Sequence, residues 1–174
     1  KNAGLLRWKA DLFRNNIDNY IFGRIGAGLV DEEGNPGDEL RPRTFEQLDA
    51  HIRGAEAELT WNALGAGWSG RLFGDTSRGK LDGGGNLPLQ PADRIGASVG
   101  YREGAWRGGL SLVHARGQDR LAANENEATP AYNQLDANLS YTQRVDGHDL
   151  TWFALAKNLL NDDIRLSTSV LKDV

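Results

Sequence analysis

Apolar and polar side chains alternate with a period of two along most of the chain, the spacing of β-strands whose faces meet different media. In the first such stretch, Gly4 to Phe22, Leu6, Trp8, Ala10 and Leu12 share one parity and Arg7, Lys9 and Asp11 the other. The pattern slips near Asn15 and Asn16, as a β-bulge would cause. Ala50 to Trp61 sets Ala55, Ala57, Leu59 and Trp61 against Gly54, Glu56, Glu58 and Thr60, and Trp68 to Thr76 sets Trp68 and Leu72 against Ser69, Arg71 and Asp75. Arg94 to Tyr101 carries Ile95, Ala97, Val99 and Tyr101 on one side and Gly96, Ser98 and Gly100 on the other. In "WRGGLSLVHARGQ" (106–118), Trp106, Leu110 and Leu112 oppose Arg107, Ser111 and their neighbours. Tyr132 to Thr142 places Leu135, Ala137, Leu139 and Tyr141 against Gln134, Asp136, Asn138 and Ser140. A seventh stretch, Leu150 to Leu160, is apolar on both parities before Lys157, so its faces stay unassigned.

The connections alternate in length. "NALGAG", "REGA" and "RVDGHD" are tight, whereas the links near 29–49, 77–93 and 119–131 are long, polar and broken by Gly and Pro. An antiparallel sheet over a soluble core would explain alternation alone. It would not place aromatics at the short-turn end of the apolar faces, as Trp61, Trp68, Tyr101, Trp106 and Tyr141 are placed. Nor would it favour Glu56, Glu58, Arg71, Asp136 and Asn138 in strand middles. An outer-membrane barrel asks for both: aromatics at the lipid–water interface and a polar lumen, with short periplasmic turns and long extracellular links. On this reading Leu110 and Leu112 face lipid, and Ser111 faces the lumen.

Composition narrows the choice. The apolar fraction of 39% is thin for a filled interior, and the 22 glycines suit turns and thin walls. No run of 18 apolar residues is present, which excludes a transmembrane helix, but a spanning strand needs only about 9–11 residues. The net charge of −4 argues against a nucleic-acid partner. With no cysteine, neither a disulfide nor a thiolate metal site is available. Methionine is absent too, and the chain opens at Lys1 in a strand-like run, so an internal segment of a longer protein is expected.

Four stretches, in order, carry a family resemblance: "DLFRNNIDNYIF" (11–22), "RGAEAELTW" (53–61), "NLPLQPADRIGASVGY" (86–101) and "KNLLNDD" (157–163). They resemble the C-terminal barrel region of TonB-dependent outer-membrane receptors. "ATPAYNQLDANLSY" (128–141) and "IRLSTSVLKDV" (164–174) look most like the zinc-uptake branch. The resemblance implies an all-β fold, with residues 1–174 an antiparallel transmembrane β-barrel segment of about seven strands from a barrel of about 22. The N-terminal plug domain is expected outside this chain, as are the TonB-contacting region and a closing strand. Implied partners are outer-membrane lipid, that plug, and the TonB energy-transducing complex, in the outer membrane of a bacterial cell. The implied function is energised uptake of a scarce nutrient, zinc or another metal species.

Candidate chemistry is sparse. His51, flanked by Asp49, and His114, followed by Asp119 and Glu125 (with Glu127 beyond), lie near the long-link ends of their strands and pair imidazole with carboxylate, a zinc-compatible set. Both histidines share parity with the lipid-facing residues, which weakens them as lumenal ligands. His148 reads as a solvated turn residue, Asp31, Glu32 and Glu33 as a solvated loop, and Glu56 and Glu58, with Arg53 nearby, as lumenal salt-bridging groups. "GDTSRGK" is too short for a phosphate-binding loop, and no Ser/His/Asp set has a distinctive spacing, so neither enzyme activity nor a resident cofactor is expected. Zinc enters only as a transported ligand. Two alternatives stay open: a passive porin-like or adhesin barrel, and a soluble all-β ligand-binding module.

Overall fold

The computed structural model describes residues 5–25, 28–37, 42–62, 66–123, 125 and 127–169. They form seven strands: β1 (Leu6–Ile25), β2 (Arg43–Trp61), β3 (Gly67–Leu81), β4 (Arg94–Glu103), β5 (Trp106–Ala115), β6 (Tyr132–Val145) and β7 (His148–Ala156). Each pairs antiparallel with the next, in one curtain of order β1-β2-β3-β4-β5-β6-β7. Two of the short turns follow from local chemistry. Asp146 (φ 50°) and Gly147 (φ 84°) both take positive φ between the paired Val145 and His148, as a two-residue type I′ hairpin needs. Gly104 (φ 53°) opens the turn between Glu103 and Trp106.

The register keeps the expected faces together and assigns the seventh strand. Trp152 opposes Tyr141 and Ala154 opposes Leu139, so both lie on the apolar face; Phe153 opposes Ser140 and Leu155 opposes Asn138 on the other. The bulge falls between Ile17 and Tyr20 rather than at Asn15 and Asn16, because Asp49 Oδ1 accepts the backbone N–H of Asn19 at 2.8 Å there and Asn19 turns to φ 55°.

Three boundaries differ from the sequence reading. β2 begins at Arg43, inside the link expected over 29–49, because its first turn of ladder continues against the long β1. β3 runs through "SRGKL" to Leu81, because Gly79 has partners on both backbone groups: its N–H donates to Gln90 Oε1 (2.8 Å) and its carbonyl accepts from Gln90 Nε2 (2.9 Å). β7 stops at Ala156. Asn158 and Asn161 take positive φ, and the Asn158 N–H is captured by Asp136 Oδ1 at 2.9 Å.

The described residues contain no fully buried large side chain. What hydrophobic core exists sits at the long-link end, on the polar face of the curtain, where Phe22, Ala50, Leu81 and Leu87 pack with Tyr20 and Ile52.

Candidate functional site

The apolar face is built in cross-strand rows. One row runs Trp8–Leu59–Leu72–Ala97–Leu112–Leu135, the next Leu6–Trp61–Gly70–Val99–Leu110–Ala137, then Trp68–Tyr101–Gly108–Leu139, and then Trp106–Tyr141–Trp152. The aromatics therefore descend three rows, six residues, between β1 and β7. With about 3.3 Å per residue and about 4.8 Å between strands, one residue per strand corresponds to strands inclined by about 35° to the normal of a level aromatic edge. That lies at the edge of the roughly 35–45° tilt of membrane barrels. The rings also pack across strands: Trp68 lies 4.9 Å from Tyr101 and Trp106 lies 4.7 Å from Tyr141 between centroids. Trp8 and Trp152 extend the edge beyond the five aromatics expected from sequence. Trp152 was hidden by the doubly apolar β7.

The opposite edge of the band is polar and slants the same way, through Arg14–Arg53–Arg78, then Thr76–Asp93–Arg116, then His114–Asn133. Counting along each strand, eight residues separate Trp61 from Arg53, Tyr101 from Asp93, Trp106 from His114 and Tyr141 from Asn133. Eight residues at about 3.3 Å and this tilt make an apolar band about 20 Å tall, close to the roughly 25 Å of an outer-membrane barrel.

The other face is charged. Arg71 holds Glu58 through Nη2 at 2.6 Å and Nε at 2.8 Å, and its guanidinium lies 4.4 Å from the Phe73 ring centroid. Arg94 grips Asp75 with two contacts of 3.0 and 3.1 Å, and Lys9 pairs with Asp11 at 3.1 Å. Glu56 completes a shared polar hollow with these groups. Asp136, accepting from Gln134 and Asn158, and Asn138 stand on the same face farther along. Two glycines are required here by close approach: a Cβ on Gly54 or on Gly96 would overlap the ring of Phe13 or Phe73 lying over it. Arg53 is not part of this set. Its register with Arg14 and Arg78 puts it on the apolar-face parity, so the expected proximity to Glu56 and Glu58 is corrected: an odd residue of β2 cannot share their face.

At the long-link end, the 82–93 and 116–131 links are clamped to each other and to the strand ends. Asp93 accepts from Thr76 (2.8 Å) and bidentately from Arg78 (2.6 and 2.7 Å), with Arg120 3.7 Å away. The hydrogen bonds from Arg78 hold the Asp93 carboxyl down to about 2, helped by Thr76 and the nearby cations and opposed by desolvation. Gln118 Nε2 donates to the Gln90 carbonyl, and Glu125 accepts the N–H groups of Leu89 and Ala122. Buried Gln90 and Gln118 carry no chemical motif in the sequence; their role appears only when the links fold together.

Residues 1–159 match the family model described as TonB dependent receptor-like, beta-barrel. The chain belongs to this family. TonB-dependent receptor barrels lie in the outer membrane of bacteria, and the family is one of receptors and transporters, not of enzymes. The solved copper transporter OprC is similar in structure, with a TM-score of 0.73 at 19% sequence identity over 92% of this chain and 24% of that one. The chain spans about a quarter of that transporter's length, and at this identity the likeness establishes the fold.

Within this receptor barrel the histidine–carboxylate candidates are spread out. His51 Nδ1 meets Asp82 Oδ1 at 3.0 Å, while its sequence neighbour Asp49 serves the β1 bulge. His114 Nδ1 lies 2.9 Å from Asn133 Oδ1 and Glu125 is bonded between two links. Exposed Asp119 acts electrostatically on Arg78 and Arg120. Among the described residues, no three His, Asp or Glu side chains gather as a metal site. His148, expected in the short turn, is instead the exposed first residue of β7, paired with Val145 across that turn.

Proposed function

We propose that this chain supplies wall and outer binding surface to a receptor that takes up a scarce nutrient, a metal species, using energy delivered through TonB. The observation that carries the reading is the band of eight residues bounded by aromatics on one edge and polar groups on the other, backed by a charged inner wall. The apolar face meets lipid, with Trp61, Trp68, Tyr101, Trp106 and Tyr141 at the interface, because each ring joins an apolar body to a polar tip. The charged face lines the lumen, where the plug domain of the full-length protein would sit and the TonB complex would move it. The links at 77–93 and 119–131 are extracellular; "NALG", "REGA" and "RVDGHD" are periplasmic.

Zinc is the favoured cargo, from the resemblance of 128–141 and 164–174 to the zinc-uptake branch; copper, named in the OprC match, is the second metal to test. His51 with Asp49, and His114 with Asp119 and Glu125, are the residues proposed to meet the metal first. The deciding experiment is uptake of labelled zinc and copper by cells expressing the full-length receptor, with and without TonB. Uptake that needs TonB supports the reading. Equal uptake without it points to a passive pore, and no metal uptake removes the metal. His114→Ala should weaken zinc binding by the full-length receptor; unchanged affinity in calorimetry would remove this histidine and leave the receptor standing. Cysteines placed in each link, labelled on intact cells, test sidedness, and labelling confined to the short turns would reverse it.

A further inference from the structure

Above the apolar band, Arg14, Arg53 and Arg78 stand side by side in one row across β1, β2 and β3. Neighbouring strands lie about 4.8 Å apart, so like charges face each other, an unfavourable arrangement unless an anion lies across them. Arg78 is neutralised by Asp93. Arg14 donates only to the neutral Asn16, at 3.2 Å; both Arg14 and Arg53 are exposed, and among the described residues neither is paired with an acidic group. Exposed Lys80 adds a cation in the next row, opposite His51.

Beyond the intervening row of Leu12, Ala55 and Thr76, the apolar face is hollowed. Ala10, Ala57 and Gly74 form one cross-strand row two steps beneath the arginines, and the larger Trp8, Leu72 and Ile95 wall the trough.

We propose that Arg14 and Arg53 bind the phosphorylated headgroup of an anionic membrane lipid in the leaflet on the long-link side, with one acyl chain lying in the Ala10–Ala57–Gly74 trough. This rests on the lipid-facing assignment of the apolar face. Guanidinium groups match phosphate oxygens with paired N–H donors, and the row sits at the edge of the band, where headgroup phosphates lie. A free phosphate ion would satisfy the arginines but leave the trough unused.

The test uses the full-length receptor in phosphatidylcholine nanodiscs doped with lipid A, with retained lipid A counted by native mass spectrometry. Wild type should hold lipid A over phosphatidylcholine. The double variant Arg14→Gln/Arg53→Gln should lose retention by about thirtyfold, Gly74→Leu should weaken it by filling the trough, and Arg107→Gln on the other face should leave it unchanged. Unchanged retention in the double variant, or an equal loss in Arg107→Gln, overturns the site. So does displacement of lipid A by inorganic phosphate as readily as by competing lipid A. A fluorophore at position 110, quenched by brominated lipid, separates the two levels. Quenching without selective retention overturns the lipid site alone; absence of quenching overturns the lipid-facing assignment itself.

Discussion

The middle of the curtain and its long-link end are held by different forces. In the middle, β5 is a single layer: Leu110 and Leu112 are about half exposed on one face, and Ser111 on the other stands between Ser98 and Asp136 in the ladder. At the long-link end the chain folds back on itself, and Leu87 at 4% exposure, Gln90 at 5% and Gln118 at 2% are buried by its own links. The middle thus relies on its backbone ladder and on the medium outside it, and the end carries its own packing. A substitution should therefore be read against lipid in one region and against neighbouring side chains in the other.

The largest expected effect tests the first half of that contrast. Leu110→Arg should cost the full-length receptor about 2–4 kcal/mol of stability in lipid, whereas Ser111→Arg should be much milder. Urea titration of the folded protein in vesicles measures both, and equal losses would end the distinction between faces. Leu87→Ala should cost about 2–3 kcal/mol by removing a side chain packed over Gly79. Limited proteolysis should find that loosening confined to the links; cleavage spreading to the β4–β5 turn would show that the regions are not independent.

Asp93 sharpens the comparison through pH. Because its carboxyl is held at about 2, below the ordinary 3.8, it stabilises the clamp above that ordinary value. That stabilisation, on the order of 1–2 kcal/mol, is lost as pH falls from about 4 towards 2. Hydrogen-exchange protection factors of the 82–93 link, referred to the intrinsic rate at each pH, should fall over that window in wild type and show no such step in Asp93→Asn. The smallest effect belongs to the short-turn end: Gly147→Ala, at φ 84°, should cost about 1 kcal/mol. A thermal shift in the full-length receptor measures it, and an unchanged midpoint would mean that the turn is not held in this conformation.

How far the sequence was legible follows the same division. Between β1 and β6, alternation alone separated Leu59 from Glu58 and Leu110 from Ser111, since each face meets a uniform medium. It failed where both parities are apolar, and only the register with β6 told Trp152 from Phe153. Strand limits failed where support comes from afar. Nothing near Gly79 announces that Gln90, eleven residues on, will satisfy its backbone. Asp93 was overlooked for the same reason, because its importance lies in Arg78 and Thr76 across the ladder. Arg53 was misplaced by nearness in sequence, although its odd number had already put it opposite Glu56 and Glu58. For His51 and His114, spacing along the chain carried no information on which carboxylate or amide each meets.

The turns also set a timetable. The two residues joining β4 to β5, and the two joining β6 to β7, close their hairpins at little entropic cost, whereas 12 residues separate β3 from β4 and 16 separate β5 from β6. Lengthening a connection from two residues to 16 adds about 2 kcal/mol to closure. The chain should therefore zip as hairpin units before the units join, the β4–β5 and β6–β7 pairs forming early and the Asp93 and Gln118 clamps last. On this order of events the clamps act as latches between preformed hairpins, and loosening one should slow the joining step while leaving each hairpin's own formation rate unchanged.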